Sequence, residues 1–269
     1  MKIGFIGSGN MATGIIKGLL KNEKVLAKDI LITASTSQRS LAKAKELGVI
    51  GVKSNAELLA LVDIVVLAVK PHHIPTILKE LDSLLAKKKP LIISIAAGLT
   101  LGQLQENIKS DLKAKLVRVM PNMNVTIGRS VSAICSSESV SAAEVETVAD
   151  LFRAVGSAYI IEEKDFRNFT SLAGCSPAYT YLYIDAMSRA GVKNGLPKEL
   201  ATKVAAEAVL GSAELLLQSV ETPWDLIDKV CSPGGTTVAG LVTLEDEGFM
   251  STVIKGLDAT IKRDQELSN

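Results

Sequence analysis

KIGFIGSGNMATGIIKGLLK, residues 2–21, reads as a strand, a glycine turn and a helix in immediate succession. KIGFI is a short apolar run, and MATGIIKGLLK has apolar residues at helical spacing. Between them, Gly7-Ser8-Gly9-Asn10-Met11-Ala12 fits the pattern G-x-G-x-x-G/A. That pattern alone is weak. Placed after a strand and at the opening of a helix, it is the fingerprint of a dinucleotide-binding turn. Gly7 permits the tight turn, Gly9 lets backbone approach a pyrophosphate, and Ala12 permits close helix–strand packing. The helix N-terminus then holds the anion.

The same rhythm continues outward. DILITA (29–34), DIVVLAV (63–69), PLIISIAA (90–97) and KLVRVM (115–120) are apolar strands, with a short GVIGV segment at 48–52. SQRSLAKAKELG, NAELLALV, IPTILKELDSLLA and LGQLQENI lie between them as helices. SVSAICS and SAYIIE are the closing strands, flanking SAAEVETVADLFRAV. Strands that are apolar throughout and alternate with helices imply a parallel sheet covered on both faces. The expected class is therefore α/β, with an N-terminal Rossmann-type, doubly wound, mainly parallel sheet over residues 1–162. From residue 163 the rhythm stops. DFRNFTSLAG, SPAYTYLYIDAMSRAGVKNG, PKELATKVAAEAVLGSAELLLQS, TPWDLIDKV and FMSTVIKGLDATIKRDQEL all read as helices, giving an all-helical second domain over 163–269. Its helix at about 198–218 is apolar on most of its circumference, and such a helix is buried on several sides. A small helical domain cannot bury it alone, so a dimer built through this domain is expected.

The totals narrow the class. The chain has 269 residues, of which 47% are hydrophobic, 22% charged and 4% aromatic, with a formal net charge of +1. A charge this small creates no field to recruit nucleic acid or an anionic membrane. Cys135, Cys175 and Cys231 are far apart and form no metal-binding or disulfide spacing, so no metal site is expected. Free thiols suit a reducing cytoplasm. The chain enters its first strand at once, so no signal peptide is expected. The longest apolar run, IVVLAV (64–69), is too short to span a bilayer. The adjacent His72 and His73 point apart and read as a polar loop.

An NAD site places Asp or Glu at the end of the second strand, on the ribose 2′-hydroxyl. Here that strand runs into Ser35-Thr36-Ser37-Gln38-Arg39, with hydroxyls and an arginine but no acid. That chemistry suits a 2′-phosphate and hence NADP. Three further segments fall where strands end at the crevice: Ala68-Val69-Lys70-Pro71, Ala96-Ala97-Gly98 and Met120-Pro121-Asn122. Small residues there let a nicotinamide lie against backbone.

A second glycine turn, Ser232-Pro233-Gly234-Gly235-Thr236-Thr237, opens a helix more than two hundred residues later. Consecutive N–H groups in such a turn make an anion nest. An N-cap supplied by Ser232 or Thr236 would also explain the hydroxyls, though not the double glycine. Spacing leaves both readings open. Residues 165–192 hold no lysine or histidine to protonate an alkoxide, which disfavours reduction of a ketone and the β-hydroxyacid dehydrogenases. Hydride transfer to an already protonated C=N bond needs no such acid. A non-catalytic NADP-binding sensor is the other alternative, but a second anion nest would then lack a purpose.

GFIGSGNMA, AVKP, SIAAGLT, RVMPN, GCSPAY, AGVKNGLP and above all SPGGTTVAGL occur in order along essentially the whole chain. Together they resemble the Δ1-pyrroline-5-carboxylate reductases, which reduce 1-pyrroline-5-carboxylate to L-proline in the last step of proline synthesis. Ser176 and Asn124 stand where the family usually has glycine and often has proline. The resemblance implies a Rossmann domain, a helical dimerisation domain and, often, a decamer of five dimers. It implies NADPH as hydride source, with NADH accepted by many members. It puts Ile6, Gly7, Ser8, Gly9, Asn10, Met11, Ser35, Asn55, Ala68, Val69, Lys70 and Ala97 around the cofactor, where the crevice reading adds Thr36, Arg39 and Asn122. Gly234, Gly235, Thr236, Thr237 and Glu163 fall around the substrate, with Thr237 acting on it directly.

Overall fold

The computed structural model describes residues 1–109 and 113–268. Its first part runs β1 (Ile3–Ile6), α1 (Asn10–Lys21), β2 (Ile30–Thr33), α2 (Ser37–Leu47), β3 (Ile50–Gly51), α3 (Asn55–Leu61), β4 (Ile64–Leu67), α4 (Ile74–Lys88), β5 (Leu91–Ser94), α5 (Leu101–Glu106), β6 (Lys115–Met120), β7 (Ser130–Ser136), α6 (Ala142–Arg153) and β8 (Gly156–Ile160). The strands form one sheet in the order β3-β2-β1-β4-β5-β6-β7-β8. Strand order reverses direction between β1 and β4, and it is there that an open α/β sheet leaves a crevice at its carboxyl edge.

Every residue of β1, β2, β4 and β5 is buried, because both faces are covered. Alternate strand residues point to opposite faces. Ile30, Ile32, Ile64 and Val66 meet Ile15, Ile16 and Leu19 of α1 and Val148 and Phe152 of α6. Leu31, Val65, Leu67 and Ile92 meet Leu58 and Leu59 of α3 and Leu78, Leu81 and Leu85 of α4.

The sheet is parallel except for β6 and β7, which pair antiparallel from Val117↔Ser136 to Met120↔Ala133. A short 3-10 turn, Met123–Ile127, ending at Gly128 in the left-handed region, joins them. So short a link reverses the chain and leaves no room for a crossover helix. α6 is fixed at its start by a reciprocal Ser141/Glu144 capping box. Lys115 Nζ of β6 reaches the same carboxylate at 2.6 Å. These bonds, Lys115 first, hold the Glu144 carboxyl down at about 2.

The remaining helices are α7 (Phe166–Phe169), a π-helical turn (Thr170–Cys175), α8 (Ser176–Lys193), α9 (Lys198–Gln218), α10 (Pro223–Val230), α11 (Thr236–Asp246) and α12 (Phe249–Ser268). The chain divides into two compact units: residues 1–174 together with the end of α12 from Arg263, and Cys175–Lys262. In the second unit α8 packs on α9. Ser188 and Thr202 share a hydrogen bond of 2.8 Å, and Lys198 Nζ donates to Asp185 at 2.8 Å. Of α9 only Ala201 and Ala205 are buried. Leu200, Val204, Leu210, Leu215 and Leu217 are exposed. None of the described helices is long and apolar enough to cross a membrane.

Candidate active site

At the crevice, Gly7 has φ of +101°, a conformation L side chains rarely adopt, and a Cβ there would come within 2.6 Å of the Ala68 carbonyl oxygen. Ala68 N–H in turn donates to Ile6 O at 2.8 Å, fastening the ends of β1 and β4 together. Ile6 itself is core, so it offers the crevice only backbone. A Cβ on Gly9 would meet no protein atom within 4 Å. Gly9 is the N-cap of α1, no side chain caps the helix, and its first turn contains no acid. The N–H groups at Asn10 and Met11 therefore face an open space that an anion fits, which is the geometry a dinucleotide pyrophosphate requires.

Gly7, Ser8, Gly9, Ala34, Ser35, Arg39, Ala42, Lys43 and Glu46 line a cleft of about 510 Å³ beside this turn. Thr36 is not free to bind a ligand by its lone pair alone: its Oγ1 caps α2 by accepting from Arg39 N–H at 3.2 Å. The Arg39 guanidinium donates to Ser35 Oγ at 3.1 Å and has no carboxylate partner among the described residues. Ser40, fully buried, shapes the loop by accepting from Ala34 N–H at 2.8 Å and donating to Thr36 O at 3.1 Å. Asn55 accepts a 2.8 Å bond from Thr33 Oγ1, which places it at the end of β2. A cation, a hydroxyl and no acid at the tip of β2 fit a 2′-phosphate.

Ala97 and Gly98 open onto a second cavity, of about 350 Å³, with Thr100, Arg118, Met120, Glu163 and Phe166 in its wall. Val69 and Lys70 lie at the end of β4, Val69 half-buried and Lys70 exposed. Glu163 borders the second cavity, but its Oε1 is engaged twice. It accepts from Leu101 N–H at 2.7 Å and from Arg118 at 2.6 Å. Arg118 also stacks 4.5 Å above the Phe166 ring, and its side chain is only 12% exposed. Asn122 is buried, and its amide is equally committed. It donates to Ala173 O in the π-helical turn at 2.9 Å and accepts from Val131 N–H at 3.3 Å. Sequence reasoning missed Arg118 and Ser40. RVMPN carried the signal for Arg118, as a charge inside an otherwise apolar strand. Burial pushes the Cys135 thiol up to about 12, so it takes no part in acid–base chemistry. No group of three metal-ligating side chains occurs among the described residues.

In the second unit, Gly234 has φ of +68°, and Gly235 closes the turn by donating to Ser232 O at 3.0 Å. A Cβ on Gly235 would lie 2.4 Å from Ser232 Oγ. Gly235 is the N-cap of α11, and no side chain caps this helix, so neither Ser232 nor Thr236 serves as cap. Thr236 and Thr237 are exposed. Thr237 also borders an apolar cavity of about 450 Å³ with Leu215, Leu226, Val230, Cys231 and Leu241.

A model described as pyrroline-5-carboxylate reductase dimerisation matches residues 163–267, and one described as NADP oxidoreductase coenzyme F420-dependent matches residues 2–98. The pyrroline-5-carboxylate reductase of Escherichia coli is 36% identical over 267 residues, 99% of this chain and 98% of that protein. The crystal structure of the Streptococcus pyogenes 1-pyrroline-5-carboxylate reductase is 43% identical with a TM-score of 0.87, covering 99% of this chain and 98% of that one. The Plasmodium falciparum pyrroline carboxylate reductase, solved with NADP bound, is 32% identical with a TM-score of 0.88, covering 100% and 98%. The chain belongs to the pyrroline-5-carboxylate reductase family.

Proposed function

We propose that this enzyme reduces the C=N bond of 1-pyrroline-5-carboxylate to give L-proline, with NADPH as the preferred reductant and NADH as a poorer one. The reduced nicotinamide, when bound, supplies the hydride. The chain's own residues do the rest. Gly9 and the uncapped first turn of α1 hold the pyrophosphate, with Ser8, Asn10 and Met11 around it. Ser35, Thr36 and Arg39 receive the 2′-phosphate, and Asn55 orders the loop behind them. Ala68, Val69, Lys70 and Ala97 bound the nicotinamide end with small side chains and backbone. Asn122 and Glu163 act on this crevice through the walls they brace.

The observation that carries the substrate reading is the uncapped glycine turn of α11. Its first N–H groups, at Thr236 and Thr237, have no capping side chain to satisfy them. A carboxylate is the ligand such a terminus favours. The Thr237 hydroxyl then donates to the substrate and orients the imine. Hydride converts the protonated imine to a neutral amine, so no anion develops and no lysine or histidine is needed at the start of the helical unit.

The helical unit is a dimerisation domain, and the chain works as a homo-oligomer. Five dimers closing into a decamer is the assembly that the family resemblance implies, and a cytoplasmic setting suits three cysteines that form no disulfide. The direct test follows oxidation of NADPH and of NADH, side by side, with pyrroline-5-carboxylate, and then reduction of NADP with 3-hydroxyacids. Turnover with the imine alone, faster with NADPH, is expected. Turnover confined to hydroxyacids would refute the reading.

A further inference from the structure

The cleft at the end of β2 holds a second cation. Lys43 lies one helical turn beyond Arg39 on α2, and both line the same cleft with Ser35. Residues spaced this way on a helix have Cβ atoms about 5–6 Å apart, so one phosphate group can be reached by both side chains. Lys43 Nζ rests instead on Glu46, at 2.9 Å from Oε1 and 3.0 Å from Oε2, and Glu46 lines the cleft too. Arg39 has no such partner among the described residues.

We propose that Lys43 is a second specificity-determining cation for the 2′-phosphate and that Glu46 holds it in reserve. When the phosphate arrives beside Arg39 and Ser35, Lys43 exchanges the Glu46 carboxylate for it. Glu46 is not stranded by the exchange. Its carboxyl is held below its ordinary range first by the Lys43 bond and, more weakly, by Lys17 of α1, which remains as a neighbour. The Glu46 side chain is 54% exposed and that of Lys43 25%, so water reaches both groups and the exchange strands no fully buried charge. Arg39 recognises the phosphate at all times. Lys43 adds to recognition only by the difference between its two anionic partners, so removing Glu46 should strengthen phosphate binding while removing Lys43 weakens it. An ion pair that stands apart from the phosphate predicts no change on removing either partner.

This inference rests on the NADP reading above and is tested with fragments that cannot react. Affinities of the full-length oligomer for adenosine 2′,5′-bisphosphate and for 5′-AMP are measured by calorimetry for wild type, Lys43→Met and Glu46→Gln. Melting curves confirm the fold of each. Lys43→Met should weaken the bisphosphate by roughly tenfold, and Glu46→Gln should tighten it by about two- to threefold. 5′-AMP should move by less than about twofold in either, since it lacks the group that Lys43 contacts. A bisphosphate affinity unmoved by Lys43→Met, or weakened by Glu46→Gln, overturns the proposal and leaves the NADP reading intact. Equal losses for both ligands return the pair to a structural role. A wild type that binds the bisphosphate no more tightly than 5′-AMP overturns the NADP reading itself, and Lys43 with it.

Discussion

At the scale of single residues, the second glycine turn separates two roles that its composition mixes. At Gly235 a side chain would meet the Ser232 hydroxyl at 2.4 Å, which can rotate away, and the Ser232 carbonyl oxygen at 3.1 Å, which cannot. Gly235→Val should therefore damage the turn itself, with or without substrate. Thr237 is different. It caps nothing, so Thr237→Ala should leave the melting temperature within about 2 °C of wild type. Loss of a hydrogen bond to a polar or charged ligand group costs roughly 1.5–3 kcal/mol, or about a 10- to 150-fold fall in kcat/KM for the imine. NADPH binding should barely change, and Thr237→Ser should restore much of the rate. Unchanged turnover in Thr237→Ala would remove this residue from the active site. At the other turn, Ser35→Asp sets a carboxylate against the 2′-phosphate beside Arg39. It should cut the ratio of NADPH to NADH kcat/KM by roughly 10- to 100-fold; a wild type that already favours NADH several-fold would contradict that. Gly7 and Gly9 were legible in the sequence because their turn, strand and helix are contiguous. The committed amide of Asn122 was not, because its partners Ala173 and Val131 come from separate segments.

At the scale of elements, the parallel strands announced themselves as unbroken apolar runs, since each is buried on two faces. The direction of β7 did not show, because SVSAICS carries no sign of its partner's sense. It is set by the short Met123–Ile127 link. The segment that reads as one helix from 165 to 174 is instead α7 followed by the π-helical turn. Asn122 meets that turn at the Ala173 carbonyl. Glu163 likewise joins elements, linking the start of α5 to β6 through Leu101 N–H and Arg118. Removing its carboxylate leaves the Arg118 guanidinium, among the described residues, with the Phe166 ring alone. Glu163→Ala should cost about 1–3 kcal/mol, lowering the melting temperature by roughly 3–8 °C. Adding Arg118→Met should cost little more, because both changes break one interaction. Independent losses in the double variant would show that Glu163 has a role apart from Arg118. The Lys115–Glu144 link of β6 to α6 gives a pH dependence of definite sign. A carboxyl held down to about 2 from 4.5 contributes stability above its ordinary value and loses it as pH falls toward 2. The stability gap between wild type and Glu144→Gln should thus be full near neutral pH and close through that acid range. A gap that widens on acidification would contradict the assignment.

At the scale of the whole molecule, the helical unit is incomplete as one chain. α9 spans 21 residues, and only Ala201 and Ala205 are buried. Leu217 is 84% exposed, and Leu210 and Leu215 are more than half exposed. Tyr181, Leu182, Val253 and Ile254 on α8 and α12 add to the uncovered apolar surface. Monomers rarely expose so much without a partner to cover it. The sequence showed this much as a helix apolar nearly all round, without showing which residues the chain's own fold would cover. Burying one leucine in an interface contributes roughly 1.5–3 kcal/mol, and a twofold interface counts each substitution twice. Leu210→Glu and Leu217→Glu replace that gain with a charge that must be desolvated, so together they should shift the association equilibrium by several orders of magnitude. Sedimentation velocity at micromolar concentration should show the wild type as a dimer or larger and the double variant mostly as single chains. Its melting temperature should fall and become independent of protein concentration, whereas that of the wild type should rise with concentration. Turnover should fall with the oligomer if the interface supports the second glycine turn, and stay near wild type per chain if it does not. A wild type that sediments as a stable monomer would refute this account of α9. A double variant that keeps full association would move the interface to another face of the unit.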